Sequence, residues 1–202
     1  ASKSVNESSQ TVSVNVARTG DLSSTTTVNY ATADGTAVGG QDYVPVNGTL
    51  TFLPGEATKT VPVTLINDNV YEGNETFSMN LSETGTSGET LRFPTSTVVT
   101  IVDNESPPAI QGSPVTVHEP PNGQTLDLQV VVSLRNPSAQ TVTFDYATVN
   151  GTAQAGTDFL ATSGTLTFAP LETTKSIPVT ILGDNVSETA EQFSINLQPT
   201  SP

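Results

Sequence analysis

The acidic side chains of this chain fall in short stretches. Residues 66–75, Ile-Asn-Asp-Asn-Val-Tyr-Glu-Gly-Asn-Glu, hold Asp68, Glu72 and Glu75. Residues 102–105, Val-Asp-Asn-Glu, hold Asp103 and Glu105 around Asn104. Glu7 and Asp42 stand alone, Asp42 inside the glycine-rich Asp-Gly-Thr-Ala-Val-Gly-Gly-Gln-Asp-Tyr. Gathered in one place, such carboxylates repel, and they coexist only with raised pKa values or a divalent cation between them. Oxygen donors on loops suit Ca²⁺, which takes about 6–8 of them. Zn²⁺ and copper are poorly served, because the chain has no Cys and a single His, His118. A turn role stays open beside the metal role, since Asp and Asn also bond their own backbone. Catalysis has little to work with. A Ser-His-Asp arrangement would have to use His118, read here as lying on a strand beside Glu119. Carboxylate-pair glycosidase chemistry would need aromatic platforms, and the chain has no Trp and only 4 Tyr. No enzyme is expected.

The acids recur. Residues 34–81 align without a gap on residues 150–197, with Gly-Thr-Leu-Thr-Phe, Pro-Val-Thr and Asp-Asn-Val repeated in order. Asp158, Asp184, Glu188 and Glu191 fall on Asp42, Asp68, Glu72 and Glu75, and Glu119 takes the place of Glu7. A repeat of this length exceeds the solenoid period of about 20–50 residues and matches a whole β-sandwich domain. Two domains are therefore expected, residues 1–106 and 107–202, joined near a proline pair. The acids must be placed by strands, because period-two alternation is the only regular pattern. Val12, Val14 and Val16 share one face, as do Leu50 and Phe52, then Val61, Val63 and Leu65, then Phe77, Met79 and Leu81. Pro54-Gly55 between two of these runs reads as a hairpin turn. The fold class expected is all-β, with two tandem immunoglobulin-like antiparallel sandwiches. The acids then lie at strand ends, where a sandwich collects its loops.

With 6 basic against 20 acidic residues the formal charge is −14. Nucleic acid and anionic membrane surfaces are poor partners for such a chain. No apolar run is long enough for a spanning helix, so membrane insertion is not expected. The lack of Cys leans towards a bacterial source. Lys59 and its equivalent Lys175 read as edge or cross-strand residues.

The order V-x-E, then Gly-Thr-Ala-x-x-Gly-x-Asp-aromatic, Gly-Thr-Leu-x-Phe, Asp-Asn-x-x-Glu-x-x-Glu-x-Phe and a strand ending Asp-x-Glu resembles the Calx-beta family, twice over. The resemblance implies immunoglobulin-like sandwiches that bind Ca²⁺. It implies ligands at Glu7, Asp42, Asn67, Asp68, the Val70 carbonyl, Glu72, Glu75, Asp103, Asn104 and Glu105. In the second repeat it implies Glu119, Asp158, Asp184, Glu188 and Glu191. Asn67 and Asn104 replace acids of the strongest family sites, which implies fewer or weaker ions. Gly183 brings no oxygen at all, and no counterpart of the strand 96–102 follows the second repeat. The second domain is thus expected to lack its final strand and to show an unpaired edge open to strand addition. The function implied is a Ca²⁺-binding structural or adhesion module, a fragment of a larger cell-surface or secreted protein. Its partners would be Ca²⁺, neighbouring domains and other proteins paired at the edge. The alternatives are a metal-free scaffold for protein contacts and a Ca²⁺-sensing regulatory module.

Overall fold

The computed structural model describes residues 1–84 and 95–200. The chain forms two compact units, Ala1–Glu105 and Ser106–Pro202.

In unit 1, β1 (Ser2–Asn6) leads through a 3-10 turn (Glu7–Ser9) into β2 (Thr11–Ala17). There follow β3 (Thr26–Asp34), β4 (Asn47–Phe52), β5 (Thr58–Thr64), β6 (Glu75–Glu83) and β7 (Ser96–Val102). One sheet has the order β1-β7-β6-β3-β4, and the other pairs β2 with β5. All ladders are antiparallel except β1 with β7, which is parallel. The alternation of apolar residues becomes a core between the two sheets. Val12, Val14, Val61 and Val63 from β2 and β5 meet Phe77, Met79, Val99 and Ile101 from β6 and β7. Each fully buried aliphatic or aromatic chain of this kind contributes about 1.5–3 kcal/mol relative to exposure.

The Pro54-Gly55 turn is not a hairpin. β4 pairs only with β3, and β5 only with β2, so the turn arches the chain from one sheet to the other. The reason is burial. Phe52 and Val61 face the core from opposite sides, 2% exposed in each case, whereas a hairpin would set them side by side in one sheet. Gly55 takes φ +82° in this turn, and Leu171 occupies the equivalent place in unit 2 at φ +65°. Lys59 and Lys175 brace the same turn from within. Each pairs at 2.7 Å with the glutamate three residues earlier, Glu56 or Glu172, rather than across strands. Those glutamates also accept the Leu53 and Ala169 N–H groups.

Unit 2 contains β8 (Ile110–Gly112), β9 (Thr125–Leu134), β10 (Val142–Val149), β11 (Ser163–Phe168), β12 (Thr174–Leu182) and β13 (Ser194–Pro199). Its sheets are β11-β10-β13 and β12-β9-β8. Val132, Leu134, Ile177, Val179 and Ile181 pack against Phe144, Leu166 and Phe168. Among the described residues β13 is an edge of its sheet. One consequence overturns a sequence expectation. His118 does not lie on a strand, because residues 113–120 form none. In unit 1 the sole ladder partner of β1 is β7, and among the described residues of unit 2 no strand takes the place of β7.

Candidate metal centre

The loop between β3 and β4 is built to hold one carboxylate. Gly35 lets it close on β6, since a Cβ there would lie 2.4 Å from the Thr76 carbonyl oxygen. Gly151 faces Gln192 in the same way at 2.2 Å. Tyr43, 1% exposed, stacks on Phe77 with ring centroids 4.2 Å apart, and Phe159 stacks on Phe193 at 4.3 Å. So anchored, the Asp42 carboxylate accepts the Val38 N–H at 2.6 Å, and Asp158 accepts the Gln154 N–H at 2.6 Å.

In unit 1 four segments converge at one pole. Oxygens of Asp42, Glu72 and Glu75 lie within 4.8 Å of one another. Oxygens of Glu7, Asp103 and Glu105 form a second group within the same limit. The parallel pairing of β1 with β7 sets Asn6 beside Val102 and so brings Glu7 to Asp103. Glu7 is only 5% exposed and Asp42 9%. Asp103 accepts three backbone N–H groups, from Glu72 (2.9 Å), Gly73 (2.7 Å) and Glu105 (2.8 Å). Asp68 joins neither group. It donates its N–H to Glu7 at 3.0 Å and accepts the Val70 N–H at 2.7 Å. Asn67 and Asn104 sit beside these acids. The Asn67 amide donates to the Asp68 carbonyl at 2.9 Å, and the Asn104 amide donates to Glu105 at 2.8 Å.

The electrostatics are those of crowded, half-buried carboxylates. Burial, then the charges of Asp42, Asp68, Glu7 and Asp103, push the Glu72 carboxyl up to about 7. Burial, a hydrogen bond with Asp42 and the charges around it push Glu75 up to about 8. Burial raises Glu7 against the opposing Asp68 N–H, with the charges of Asp68, Asp103 and Asp42 adding to it. Glu105 is raised by burial and by its bond to Asp103. Burial would raise Asp103 too, but its three N–H donors outweigh it and hold the group below the usual carboxylate range. The Glu105 Oε2 atom is buried and without a hydrogen-bond partner. A hard cation fits such a donor set: it would supply the missing charge and a partner for the orphaned oxygen.

Unit 2 keeps half of the arrangement. Asp158, Glu188 and Glu191 have oxygens within 4.8 Å of one another, but both glutamates are exposed. Burial and the neighbouring carboxylates raise both. Glu119 accepts the Asp184 N–H at 2.7 Å and Asp184 accepts the Val186 N–H at 2.6 Å, repeating the bonds of Glu7 and Asp68. Glu119 and Asp184 belong to no group of three among the described residues. Gly183 is where it is for want of space, since a Cβ would lie 2.1 Å from the Pro120 carbonyl oxygen and 2.5 Å from that of Pro121.

Asp34 has specific partners within the loop between β3 and β4. Its Oδ1 accepts the Tyr43 hydroxyl at 2.6 Å and the Gly39 N–H at 2.9 Å. Burial and this carboxylate push the Tyr43 hydroxyl up to about 12. In unit 2 the hydroxyl and the charge disappear together, as Phe159 and Asn150. That joint replacement was the signal available in the sequence.

The Calx-beta domain model matches residues 1–105 and 113–201. Sodium/calcium exchanger 1 of Canis lupus familiaris is 32% identical over 202 residues, covering 90% of this chain and 20% of that protein. Adhesion G-protein coupled receptor V1 of Danio rerio is 32% identical over 188 residues, covering 91% of this chain and 3% of that protein. The chain thus spans a fifth or less of these curated relatives. Among solved structures, the calcium binding domain CBD12 of CALX1.1 aligns over 100% of this chain and 79% of its own, at 29% identity and TM-score 0.51. CBD12 from CALX1.2 aligns over 89% and 71%, at 30% identity and TM-score 0.51.

Proposed function

The chain belongs to the Calx-beta family, and on that premise we propose that it is a Ca²⁺-binding module of a larger protein, with the principal site at the acidic pole of unit 1. One observation carries the reading. Six carboxylates, those of Glu7, Asp42, Glu72, Glu75, Asp103 and Glu105, meet there in two groups of three. Ca²⁺ supplies charge and coordination in one step. The backbone N–H donors hold Asp103 ionised and aimed inward, and Asn104 steadies Glu105. The ligands come from the ends of β1, β6 and β7 and from two loops, so a bound ion ties together segments that carboxylate repulsion otherwise pushes apart. The module's role is mechanical: ions stiffen this end of the sandwich. Its setting is the cell surface or the extracellular space, where millimolar Ca²⁺ suits a site of modest affinity. The relative described as a calcium binding domain supports the ion.

The test is a calorimetric Ca²⁺ titration of the chain, with thermal melting in parallel. A ligand that binds only the folded state must stabilise it. Wild type gives binding heat and a raised melting midpoint. Asp103→Ala and Glu72→Ala each lose most of both. No heat and no shift at millimolar Ca²⁺ would leave the acids as turn and solubility residues.

A further inference from the structure

β4 ends one sheet of unit 1 and β5 ends the other, and the two edges meet solvent differently. The Thr32 N–H bonds the Val46 carbonyl at 2.9 Å. Alternation along an antiparallel ladder then turns the backbone groups of Gly48, Leu50 and Phe52 towards β3. Those of Asn47, Thr49 and Thr51 point the other way, and among the described residues no strand pairs with them. Along β5 the Leu65 N–H bonds the Gln10 carbonyl, and the same alternation turns the nitrogen of Pro62 outward, where it has no hydrogen to give. Pro178 stands in the same way at the edge of β12. Proline on an edge is one of the devices that keep strands from adding there. β4 lacks it: Asn47–Phe52 contains no Pro and no charged residue. Glu56 takes the Leu53 N–H at 2.7 Å, so the open donors stop at Thr51.

We propose that the β4 edge joins two copies of this chain, the two strands lying antiparallel about a two-fold axis at Thr49. The outward groups run from Asn47 to Thr51 and are centred on Thr49, so self-pairing uses all of them in this register alone. Thr49 then faces Thr49 of the second copy, and Asn47 faces its Thr51. At each end Leu53, 54% exposed, comes to Pro45 of the second copy, which is also exposed. Such a self-complementary contact closes after two copies. Charge selects both the partner and the edge. At −14, two copies repel wherever their acids face each other, and a strand without charge is where they can touch. β11 presents Ser163, Thr165 and Thr167 as β4 presents its outward residues. There, however, the Thr165 hydroxyl bonds the Asp145 carboxylate at 2.6 Å, whereas the Thr49 hydroxyl bonds the neutral Asn29 amide at 2.7 Å. Two β11 edges centred on Thr165 would bring two Asp145 charges together, and two β4 edges bring none.

The experiment uses the intact chain in EGTA, so it stands apart from the Ca²⁺ reading and can fail or succeed without it. Sedimentation equilibrium follows association from about 10 μM to about 1 mM, the range for a contact as small as one strand pair. Wild type shows a monomer–dimer equilibrium within it. Thr49→Lys and Thr49→Asp, both at an exposed position, each weaken the dimer by at least about tenfold. An equal mixture of the two restores it, which neither a folding defect nor a contact elsewhere produces. Thr49→Cys gives a disulfide-linked dimer on oxidation, because residues facing each other in such a pair have Cα atoms about 5.5 Å apart. The chain has no other Cys to confuse the result. Thr165→Cys, the matching position of β11, gives none. The proposal is overturned if wild type stays monomeric at about 1 mM, or if both charged variants dimerise like wild type. It is equally overturned if their mixture fails to recover the dimer, or if Thr165→Cys links as readily as Thr49→Cys.

Discussion

Binding of Ca²⁺ to unit 1 should expel protons. Glu72 and Glu75 lie in one ligand group, with carboxyls pushed up to about 7 and about 8. A coordinating carboxylate must be ionised, so both protons leave when the ion enters. At pH 6 a group of pKa 7 is about 90% protonated and one of pKa 8 about 99%, which gives about 1.9 protons released. At pH 8 the fractions are about 10% and 50%, which gives about 0.6. Integrated over that interval, the apparent affinity rises roughly 500-fold from pH 6 to pH 8. Ordinary carboxylates near 4.5 would give almost no release and a flat profile. The assay is calorimetry at each pH in two buffers of different ionisation enthalpy, whose difference in heat counts the protons. Glu75→Gln removes the larger contributor, and release at pH 6 should fall to about 0.9. Release below about half a proton at pH 6, or no change in Glu75→Gln, would show that the two glutamates are not neutral in the metal-free protein.

The same groups set the metal-free stability. Their folded pKa values are raised, so the stabilisation from holding protons is complete below about pH 4.5 and is lost as pH rises through about 7 and 8. Urea melts in EGTA should weaken by about 2–4 kcal/mol from pH 5 to pH 8, and millimolar Ca²⁺ should reverse the trend. Tyr43→Phe should cost about 1 kcal/mol in the wild type and much less beside Asp34→Asn, because unit 2 already uses that uncharged combination; a double-mutant cycle on urea midpoints measures it. Leu171→Gly should stabilise unit 2 by roughly 1 kcal/mol, since Leu171 holds a left-handed φ at 61% exposure with little packing to lose. Gly35→Ala should destabilise unit 1 by more than about 1 kcal/mol and weaken Ca²⁺ binding, as the added methyl collides with the Thr76 carbonyl and displaces the Asp42 loop.

Local rules carry a long way in this chain. Alternation of Val12, Val14 and Val16, or of Phe77 and Met79, fixes which face of a strand is apolar, because side chains in a strand have a strict period of two. Repetition of whole motifs fixes the number of domains, and acids adjoining those strands must lie at strand ends. What alternation cannot supply is the choice of partner. Val61 is equally inward whether β5 pairs with β4 or with β2, and only the closing of two sheets over one core selected β2 and turned the expected hairpin into an arch. The same long-range choice built the site. Glu7 and Asp103 are 96 residues apart (103 − 7) and meet because β1 lies parallel to β7. The Asp68 carboxylate accepts the Val70 N–H and the Asn104 amide donates to Glu105, contacts that neighbouring positions in the sequence do not reveal. The sequence by itself determined two β-sandwiches with acids at their poles. The tertiary structure decided which carboxylates converge and which are pushed up towards neutrality, because those outcomes depend on strands that meet across the whole length of a domain.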